Sequence, residues 1–433
     1  AERYGRLPLK ISLAPAIRAA REGFAVTPYY RRMARFRLDT LRASPAAARI
    51  FLHDGEVPPV GHVIRQPDLA RTLMLLARKG RAGFYEGEVA RQLVAGSTAA
   101  GGIWTEQDLR DYRVVERAPV VGHYRGYRTV SAAPPSSGGV ALVTMLNILE
   151  GYPLATLAPV RRKHLVIEAM RRAYRDRAEY LGDPDFVTVP VTELTRPAHA
   201  ENLRKSINPD AATPSGDLKP VNPAGSGTHT THFSILDTEG NRVAATLSIN
   251  YPFGSGFMPP GTGVLLNDEM DDFSAKPGVP NVYGLVGAEA NAIAPGKRML
   301  SSMSPTFVEG PERIAILGTP GGSRIISMVL HGILGVAGER EAEQIVRAPR
   351  YHHQYLPDVV QFEPGAFTAG EQDGLRGMGH RLQQLDRPYG NMQVVIWHRK
   401  RNTVSAASDP RGEGEARVGP GDRPVAQRWQ RGQ

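Results

Sequence analysis

The stretch that decides the fold is TTHFSILDTEGNRVAATLSI, residues 230–249. Its middle, DTEGN at 237–241, is rich in turn-forming residues and separates two runs typical of strands. We therefore predict a β-hairpin centred on Glu239. In this register Thr230 lies directly opposite Ser248.

Alternation along these strands predicts two faces of different chemistry. One face carries hydroxyls and an imidazole, from Thr230, His232, Ser234, Thr246 and Ser248. The other carries Thr231 and apolar side chains, namely Phe233, Ile235, Val243, Ala245 and Leu247. We expect the apolar face to lie in the core. The polar face could simply be a solvated sheet surface.

The position of the hairpin favours a chemical role for the polar face. Residues 205–229 are rich in Pro, Asn, Ser, Gly and Thr, which predicts a mobile, exposed linker. If the His229-Thr230 bond were cut, Thr230 would become a chain terminus. Its free α-amine, with a pKa of about 8, could then accept the proton of its own hydroxyl.

Composition excludes several classes of protein. The 433 residues contain no cysteine, which rules out a disulfide scaffold, a thiolate metal site and a cysteine nucleophile. The net charge of +10 comes from 53 basic and 43 acidic residues that interleave along the chain, so nucleic-acid binding is not favoured. No apolar run approaches the roughly 20 residues of a membrane helix, and we expect a soluble chain whose signal peptide is absent or already removed.

The rest of the chain reads as a layered α/β or α+β protein. The clearest helix spans 162–181, with an apolar stripe and with Arg171, Arg172, Arg175 and Glu179 largely on the other side. Further helices are predicted at 9–22, 69–80, 324–337 and 339–347, and further strands at 313–319 and 392–398.

Seven runs occur in an order and spacing that resemble those of the γ-glutamyltransferase (γ-glutamyltranspeptidase) family of N-terminal-nucleophile hydrolases. The runs are PPSSGG (134–139), YLGDPDF (180–186), TTHFSILDTEGN (230–241), LLNDEMDDFS (265–274), PNVYGL (280–285), LSSMSPT (300–306) and GTPGGSR (318–324).

The resemblance implies an α+β fold, a four-layer αββα sandwich, made as a precursor that cleaves itself. Cleavage would fall between His229 and Thr230, giving a large-subunit portion, 1–229, and a small catalytic subunit, 230–433. Thr230 would then form a γ-glutamyl ester from glutathione or a related donor. The acyl group would pass to water, an amino acid or a peptide. No cofactor or metal is implied.

The resemblance also assigns roles within the site. Thr230 would be the nucleophile, and Ser248, where the family generally has threonine, would hydrogen-bond it. Gly321 and Gly322 would supply oxyanion donors, and their run lacks the Gly-Lys-Ser/Thr ending of a phosphate loop.

The donor's α-amino group would be held by Asn250, Glu269 and Asp272. Ser301 and Ser302 would bind its α-carboxylate, and Tyr283 would cover the pocket as a lid.

One departure concerns the N-terminus. Family members normally carry about a hundred or more residues ahead of this region, including an arginine for the α-carboxylate. We therefore expect the N-terminal part of the family fold to be missing.

Two alternatives stay open. One is an amide acylase of the same scaffold, of glutaryl or cephalosporin type, which would not need the ammonium-binding carboxylates. The other is an inactive, unprocessed fragment or binding protein. By resemblance we expect a periplasmic or secreted location, with neither nucleic acid nor a membrane span involved.

Overall fold

The computed structural model describes residues 3–218, 230–274 and 287–419. The chain divides into two compact units: residues 1–116 with 249–268, and residues 117–248 with 269–433. These boundaries differ from the subunit division at 229/230, which stays a prediction. In the described ranges, no helix is both long and apolar enough to cross a membrane.

The first unit is mainly helical. A short antiparallel pair, β1 with β2, places Phe24 opposite Ile64. Its described elements are α1 (Leu9–Glu22), β1 (Phe24–Ala25), α2 (Pro28–Phe36), α3 (Leu38–Arg42), α4 (Pro45–Phe51), β2 (Val63–Ile64), α5 (Pro67–Lys79), α6 (Ala82–Tyr85), α7 (Gly87–Ala99) and α8 (Glu106–Asp111). The helices predicted at 9–22 and 69–80 are thus confirmed as α1 and α5.

The second unit mixes helices with mostly antiparallel sheets, which confirms the α+β class. Its described helices are α9 (Gly138–Glu150), α10 (Pro159–Tyr180), α11 (Val191–Thr195), α12 (Pro197–Lys205), α13 (Arg324–Ala337), α14 (Ala342–Arg347) and α15 (Ala369–Gly377). Its described strands are β3 (Val120–Tyr124), β4 (Tyr127–Ser131), β5 (Thr230–Leu236), β6 (Arg242–Ser248), β7 (Thr306–Glu309), β8 (Arg313–Gly318), β9 (Tyr351–His352), β10 (Val360–Phe362), β11 (Leu382–Gln384), β12 (Gln393–His398) and β13 (Thr403–Ser408).

A six-stranded sheet, in the order β13-β12-β8-β7-β4-β3, organises this unit. Every neighbouring pair in it is antiparallel. On β8, Ala315 and Leu317 join the core formed with α9, α10 and α13. Because side chains alternate across a sheet, Ile314, Ile316 and Gly318 face the other way.

The hairpin formed by β5 and β6 packs on that second face of β8. A Cβ atom added to Gly318 would lie 2.2 Å from Cε1 of His232, so the imidazole rests directly on the glycine backbone. Helices, six-stranded sheet and hairpin therefore stack as three layers in the described part of this unit, in the order that the αββα prediction requires.

The prediction that the apolar hairpin face is buried is wrong. Phe233, Ile235, Val243 and Leu247 are between 42% and 52% exposed, whereas His232 on the polar face is buried. The physical reason is that Gly318 leaves room for an imidazole, and the polar side chains of this face satisfy one another's hydrogen bonds.

Part of the charged side of α10 is buried. Arg171 and Arg172 are buried and share the carboxylate of buried Glu168, with Arg171 Nε 3.0 Å and Arg172 Nη1 2.6 Å from its oxygens. Further partners come from distant segments, such as Asp358 for Arg171 and the Ser206 carbonyl for Arg172.

The same network holds the first half of the segment that we predicted to be an exposed linker. Ser215 is fully buried, and its backbone N–H donates to Asp358 Oδ2 at 2.8 Å. Tyr355 donates its hydroxyl to the Leu218 carbonyl at 3.0 Å. Residues 219–229, which include His229, lie outside the described residues.

Candidate active site

Thr230 begins β5 and lies directly opposite Ser248, the last residue of β6. The complete register from Thr230 to Leu236 follows the prediction from sequence. Directly opposed residues have Cβ atoms about 5 Å apart, so the two hydroxyl-bearing side chains are neighbours on one face. Thr230 is only partly buried, which leaves its side chain open to an approaching group.

The hairpin owes this register to its turn. The Asp237 carboxylate accepts from the backbone N–H groups of Glu239 and Asn241, both at 2.8 Å. Gly240 takes the positive φ of 86° that closes the loop. Because these contacts are local, the sequence suffices to determine which residues of the two strands pair.

His232 fixes the hairpin to the sheet rather than acting as a base. Its Nδ1 lies 2.8 Å from Thr246 Oγ1 and its Nε2 lies 3.1 Å from Ser234 Oγ. Burial lowers the pKa of His232 to about 4, so the ring is neutral near pH 7 and a poor proton acceptor. His232 therefore does not replace the predicted base, which is the α-amine of a cleaved Thr230.

The glycine pair follows β8 directly and leads into α13. Gly321 has a φ of 149° and Gly322 a φ of 55°. A side chain on Gly321 would meet Met328 Cε at 2.3 Å. In the part of the chain that the structure describes, neither glycine N–H has a hydrogen-bond acceptor. Two unoccupied N–H groups at the start of a 14-residue helix suit a developing oxyanion.

The serine run 301–302 is held against the PPSSGG run. Ser137 donates both its N–H, at 2.8 Å, and its hydroxyl, at 2.7 Å, to the Ser301 carbonyl. In return, the Ser301 N–H donates to the Pro135 carbonyl at 2.8 Å. This bridge explains why two small-residue runs so far apart in the sequence occur together in one site.

A buried arginine that the sequence did not single out lies beside these serines. Arg177 on α10 donates to Ser137 Oγ at 2.9 Å and to Ser302 Oγ at 3.2 Å. A signal was present, because residue 177 falls three and four positions after Tyr174 and Ala173 of the apolar stripe. An arginine in register with such a stripe is buried and must find partners.

Glu269 and Asp272 lie in one 3-10 turn, Glu269–Asp272, and both are partly buried. Buried Asn291 connects this turn to the serine run, a link that the sequence did not reveal. Its Nδ2 donates to the Asp272 carbonyl at 2.7 Å, and its Oδ1 accepts from the Leu300 N–H at 2.9 Å. The structure thus brings Asp272 and the neighbouring residues Ser301 and Ser302 into one hydrogen-bonded assembly.

Two further predicted residues are Asn250 and Tyr283. Asn250 belongs to the first unit, where it is buried, has a φ of 65° and donates Nδ2 to the Asp268 carbonyl at 3.1 Å. Its role as an ammonium ligand stays a prediction. Tyr283, the predicted lid, lies outside the described residues.

The adjacent His352 and His353 each have protein hydrogen-bond partners. His352 contacts Ser327 Oγ and Gln354 Oε1, both at 2.8 Å, and His353 Nε2 lies 3.1 Å from Asp358 Oδ1. Burial lowers the pKa of His352 to about 3 and that of His353 to about 4.

A second group, His164, Glu168 and His380, has the residue types of a metal site. However, the Glu168 carboxylate is taken by Arg171 and Arg172, whose positive charges oppose a cation. The two histidines contact each other, His164 Nδ1 to His380 Nε2, at 2.8 Å. We therefore assign this group a structural role.

Two curated proteins resemble this chain over most of its length. The chain is 46% identical over 390 residues to a glutathione hydrolase proenzyme of Pseudomonas sp. (strain A14), covering 88% of this chain and 67% of that protein. It is 40% identical over 416 residues to a glutathione hydrolase proenzyme of Escherichia coli (strain K12), and this match covers 95% of this chain and 71% of that protein.

Among solved structures, a cephalosporin acylase from Bacillus halodurans superimposes with a TM-score of 0.83 at 29% identity. The match covers 96% of this chain and 75% of that one, and it supports the predicted α+β fold of the N-terminal-nucleophile hydrolase type.

A sequence model of the family described as gamma-glutamyltranspeptidase matches residues 1–419. This match does not support the expectation that the N-terminal part of the family fold is missing. Since it covers nearly the whole chain, the protein belongs to the gamma-glutamyltranspeptidase family.

Proposed function

We propose that this protein is a γ-glutamyl transferase and hydrolase that uses Thr230 as its nucleophile after cleaving itself at His229-Thr230. The donor would be glutathione or another γ-glutamyl amide. The acceptor would be water, an amino acid or a peptide. Export to the periplasm is part of the proposal and rests on the resemblance to this family.

The observation that carries the substrate class is the link made by Asn291. It joins the acidic turn that holds Asp272 to the run that holds Ser301 and Ser302. A carboxylate suits an α-ammonium, and hydroxyl donors suit an α-carboxylate. A site that holds both sets together suits the α-amino-acid end of a γ-glutamyl group.

Self-cleavage would begin with attack of Thr230 Oγ on the carbonyl carbon of residue 229. The C–N bond breaks as the acyl group moves to oxygen, and the departing nitrogen becomes the α-amine of Thr230. Water then opens the ester and releases the carboxylate of residue 229. The α-amine that remains serves as the base for later turnovers.

In turnover the α-amine takes the proton of the Thr230 hydroxyl as Oγ attacks the γ-carbonyl carbon of the donor. The N–H groups of Gly321 and Gly322 would stabilise the negative oxygen that forms. Collapse expels the donor's amine, which receives the proton from the α-ammonium. Attack by water or an acceptor amine then frees Thr230.

A second candidate is an acylase that removes a glutaryl-type side chain. The similarity to the cephalosporin acylase of Bacillus halodurans favours it, because the scaffold is shared. A glutaryl group carries a carboxylate but no ammonium, so Asp272 would have nothing to bind. Chromogenic γ-glutamyl and glutaryl anilides therefore distinguish the two candidates in a single assay.

The test compares wild type, Thr230→Ala and Thr231→Ala. Thr231 is a matched control because it is the next residue, is exposed and lies on the opposite face of the hairpin. Intact mass should show two pieces for wild type and Thr231→Ala, one piece beginning at residue 230. Thr230→Ala should stay whole and turn over neither anilide.

Cleavage at 229/230 in Thr230→Ala would sink the self-processing mechanism. A wild-type chain that stays whole and turns over neither anilide would support an inactive, unprocessed protein. Preference for the glutaryl anilide would support the acylase.

A further inference from the structure

We propose that Arg177 is a positioning residue for donor specificity, supplying positive charge to the α-carboxylate subsite through Ser302. This inference rests on the proposed function, since it concerns the same donor pocket. It makes Arg177 a determinant of whether the donor must carry a free α-carboxylate.

The first step is the unusual environment of the guanidinium. Arg177 is 4% exposed. Both hydrogen bonds found for it among the described residues end on neutral hydroxyl oxygens, those of Ser137 and Ser302. Within those same ranges it forms no ion pair. A buried cation without a carboxylate in contact is costly, and an anionic ligand nearby would lower that cost.

The other buried arginines of α10 show the contrast. Arg171 and Arg172 both pair with the Glu168 carboxylate, at 3.0 Å and 2.6 Å. Arg171 also pairs with Asp358. Arg177 lies on the same helix at similar burial but is held by hydroxyls instead. Of these three buried arginines, Arg177 is therefore the one without a carboxylate in direct contact among the described residues.

The second step is the direction of the hydrogen bonds. A guanidinium can only donate, so Ser302 Oγ must accept from Arg177 and keeps its own O–H to donate elsewhere. Ser301 Oγ likewise accepts, from the Met303 N–H at 3.0 Å. Each oxygen thus accepts one hydrogen bond from the protein, and among the residues that the structure describes neither hydroxyl proton has an acceptor. Two such donors backed by a cation suit a carboxylate.

The third step is the negative charge of Asp272 in the same part of the site as Arg177. Burial lowers the pKa of Arg177, and the negative charge of Asp272 opposes part of that lowering. The link through Asn291 holds the Asp272 backbone to the residue before Ser301. A positive and a negative charge in the same region of the site suit the carboxylate and ammonium of an α-amino acid.

The experiment measures binding of two ligands to the full-length chain by calorimetry, without turnover. L-glutamate carries the α-carboxylate, and isoglutamine replaces it with a neutral amide. Wild type should prefer L-glutamate by about tenfold or more, since a hydrogen bond to a charged group is worth roughly that factor. Arg177→Met should lose this preference, and Arg177→Lys should regain part of it.

Arg172→Met is the matched control, because it removes a buried arginine of the same helix that does not contact the serines. It should keep the preference for L-glutamate even if the protein is less stable. If Arg177→Met does not fold, Arg177→Gln takes its place, because it is shorter but keeps a hydrogen-bond donor without the charge.

An unchanged preference in the Arg177 variants, or none in wild type, would overturn the proposal. The proposed function is tested separately, by measuring whether wild type turns over the γ-glutamyl anilide. A chain that distinguishes the two ligands but turns over no anilide would refute that function and leave the role of Arg177 standing.

Discussion

Substitution of Gly318 by alanine tests how the nucleophile-bearing hairpin is seated. The added Cβ would lie 2.2 Å, 2.4 Å and 2.7 Å from Cε1, Nδ1 and Nε2 of His232. These distances are far below van der Waals contact, so the ring or the backbone must move. The ring is not free to swing, because hydrogen bonds to Thr246 and Ser234 hold both of its nitrogens.

These contacts set the expected loss of unfolding free energy in Gly318→Ala. Overpacking of a well-packed site costs about 1–3 kcal/mol. Displacing the ring also breaks two hydrogen bonds of about 1 kcal/mol each. We therefore expect Gly318→Ala to lower the free energy of unfolding by about 3–5 kcal/mol. Self-cleavage at 229/230 should slow as well, because His232 lies two residues from Thr230 on the same face.

Urea unfolding measures the stability, and intact mass against time measures the cleavage. Gly370→Ala is the control: this exposed glycine of α15 has nothing within 4 Å of an added Cβ. It should be neutral or stabilise by up to about 1 kcal/mol, because alanine favours a helix over glycine.

The double variant Gly318→Ala/His232→Ala gives a second test. Since the smaller side chain removes the clash, it should recover part of the stability lost in Gly318→Ala, a non-additive result. If Gly318→Ala unfolds and cleaves like wild type, the close seating of the hairpin on β8 is refuted. Strictly additive losses in the double variant would refute the assigned contact between the two residues.

Two further predictions concern the donor pocket and acid stability. Asn291→Leu should lower the free energy of urea unfolding by about 2–5 kcal/mol, because it leaves the partly buried Asp272 carbonyl and the buried Leu300 N–H without their partner. It should also raise KM for the γ-glutamyl anilide, and an unchanged KM would contradict its role in placing Asp272. The unfolding free energy should fall as pH drops from about 6.5 to about 4, because burial lowers the pKa of several histidines so that the unfolded chain binds more protons there. These are His232, His331 and His353, each to about 4, and His352 and His380, each to about 3. His352→Gln should reduce that slope by up to about 1.4 kcal/mol per pH unit, and an unaltered slope would speak against a neutral buried His352.

Much of the fold could be predicted from the sequence because the signals are local. The turn residues around Asp237 and Gly240 determine the pairing of Thr230 with Ser248 without help from the rest of the chain. A glycine that stops the helix likewise indicated where α1 and α5 end, since Gly23 and Gly80 directly follow their last residues.

The buried face of the hairpin was predicted wrongly. Alternation of side chains along a strand distinguishes two faces but does not determine which surface packs against each of them. In a sheet that lies on another sheet, the partner surface decides. Here β8 offers Gly318, where an imidazole fits, and the hydroxyls around His232 supply its hydrogen bonds. A polar face could therefore be buried while Phe233 and Ile235 stay exposed.

The sequence by itself determined the family, the order of the strands and helices around the site, and the residue that pairs with Thr230. Only the tertiary structure decided that Arg171 and Arg172 are buried, that Arg177 contacts Ser302, and that Asn291 links Asp272 to the serine run. The reason is the distance along the chain between partners. Arg177 and Ser302 are 125 residues apart, and no periodicity in either segment encodes the other.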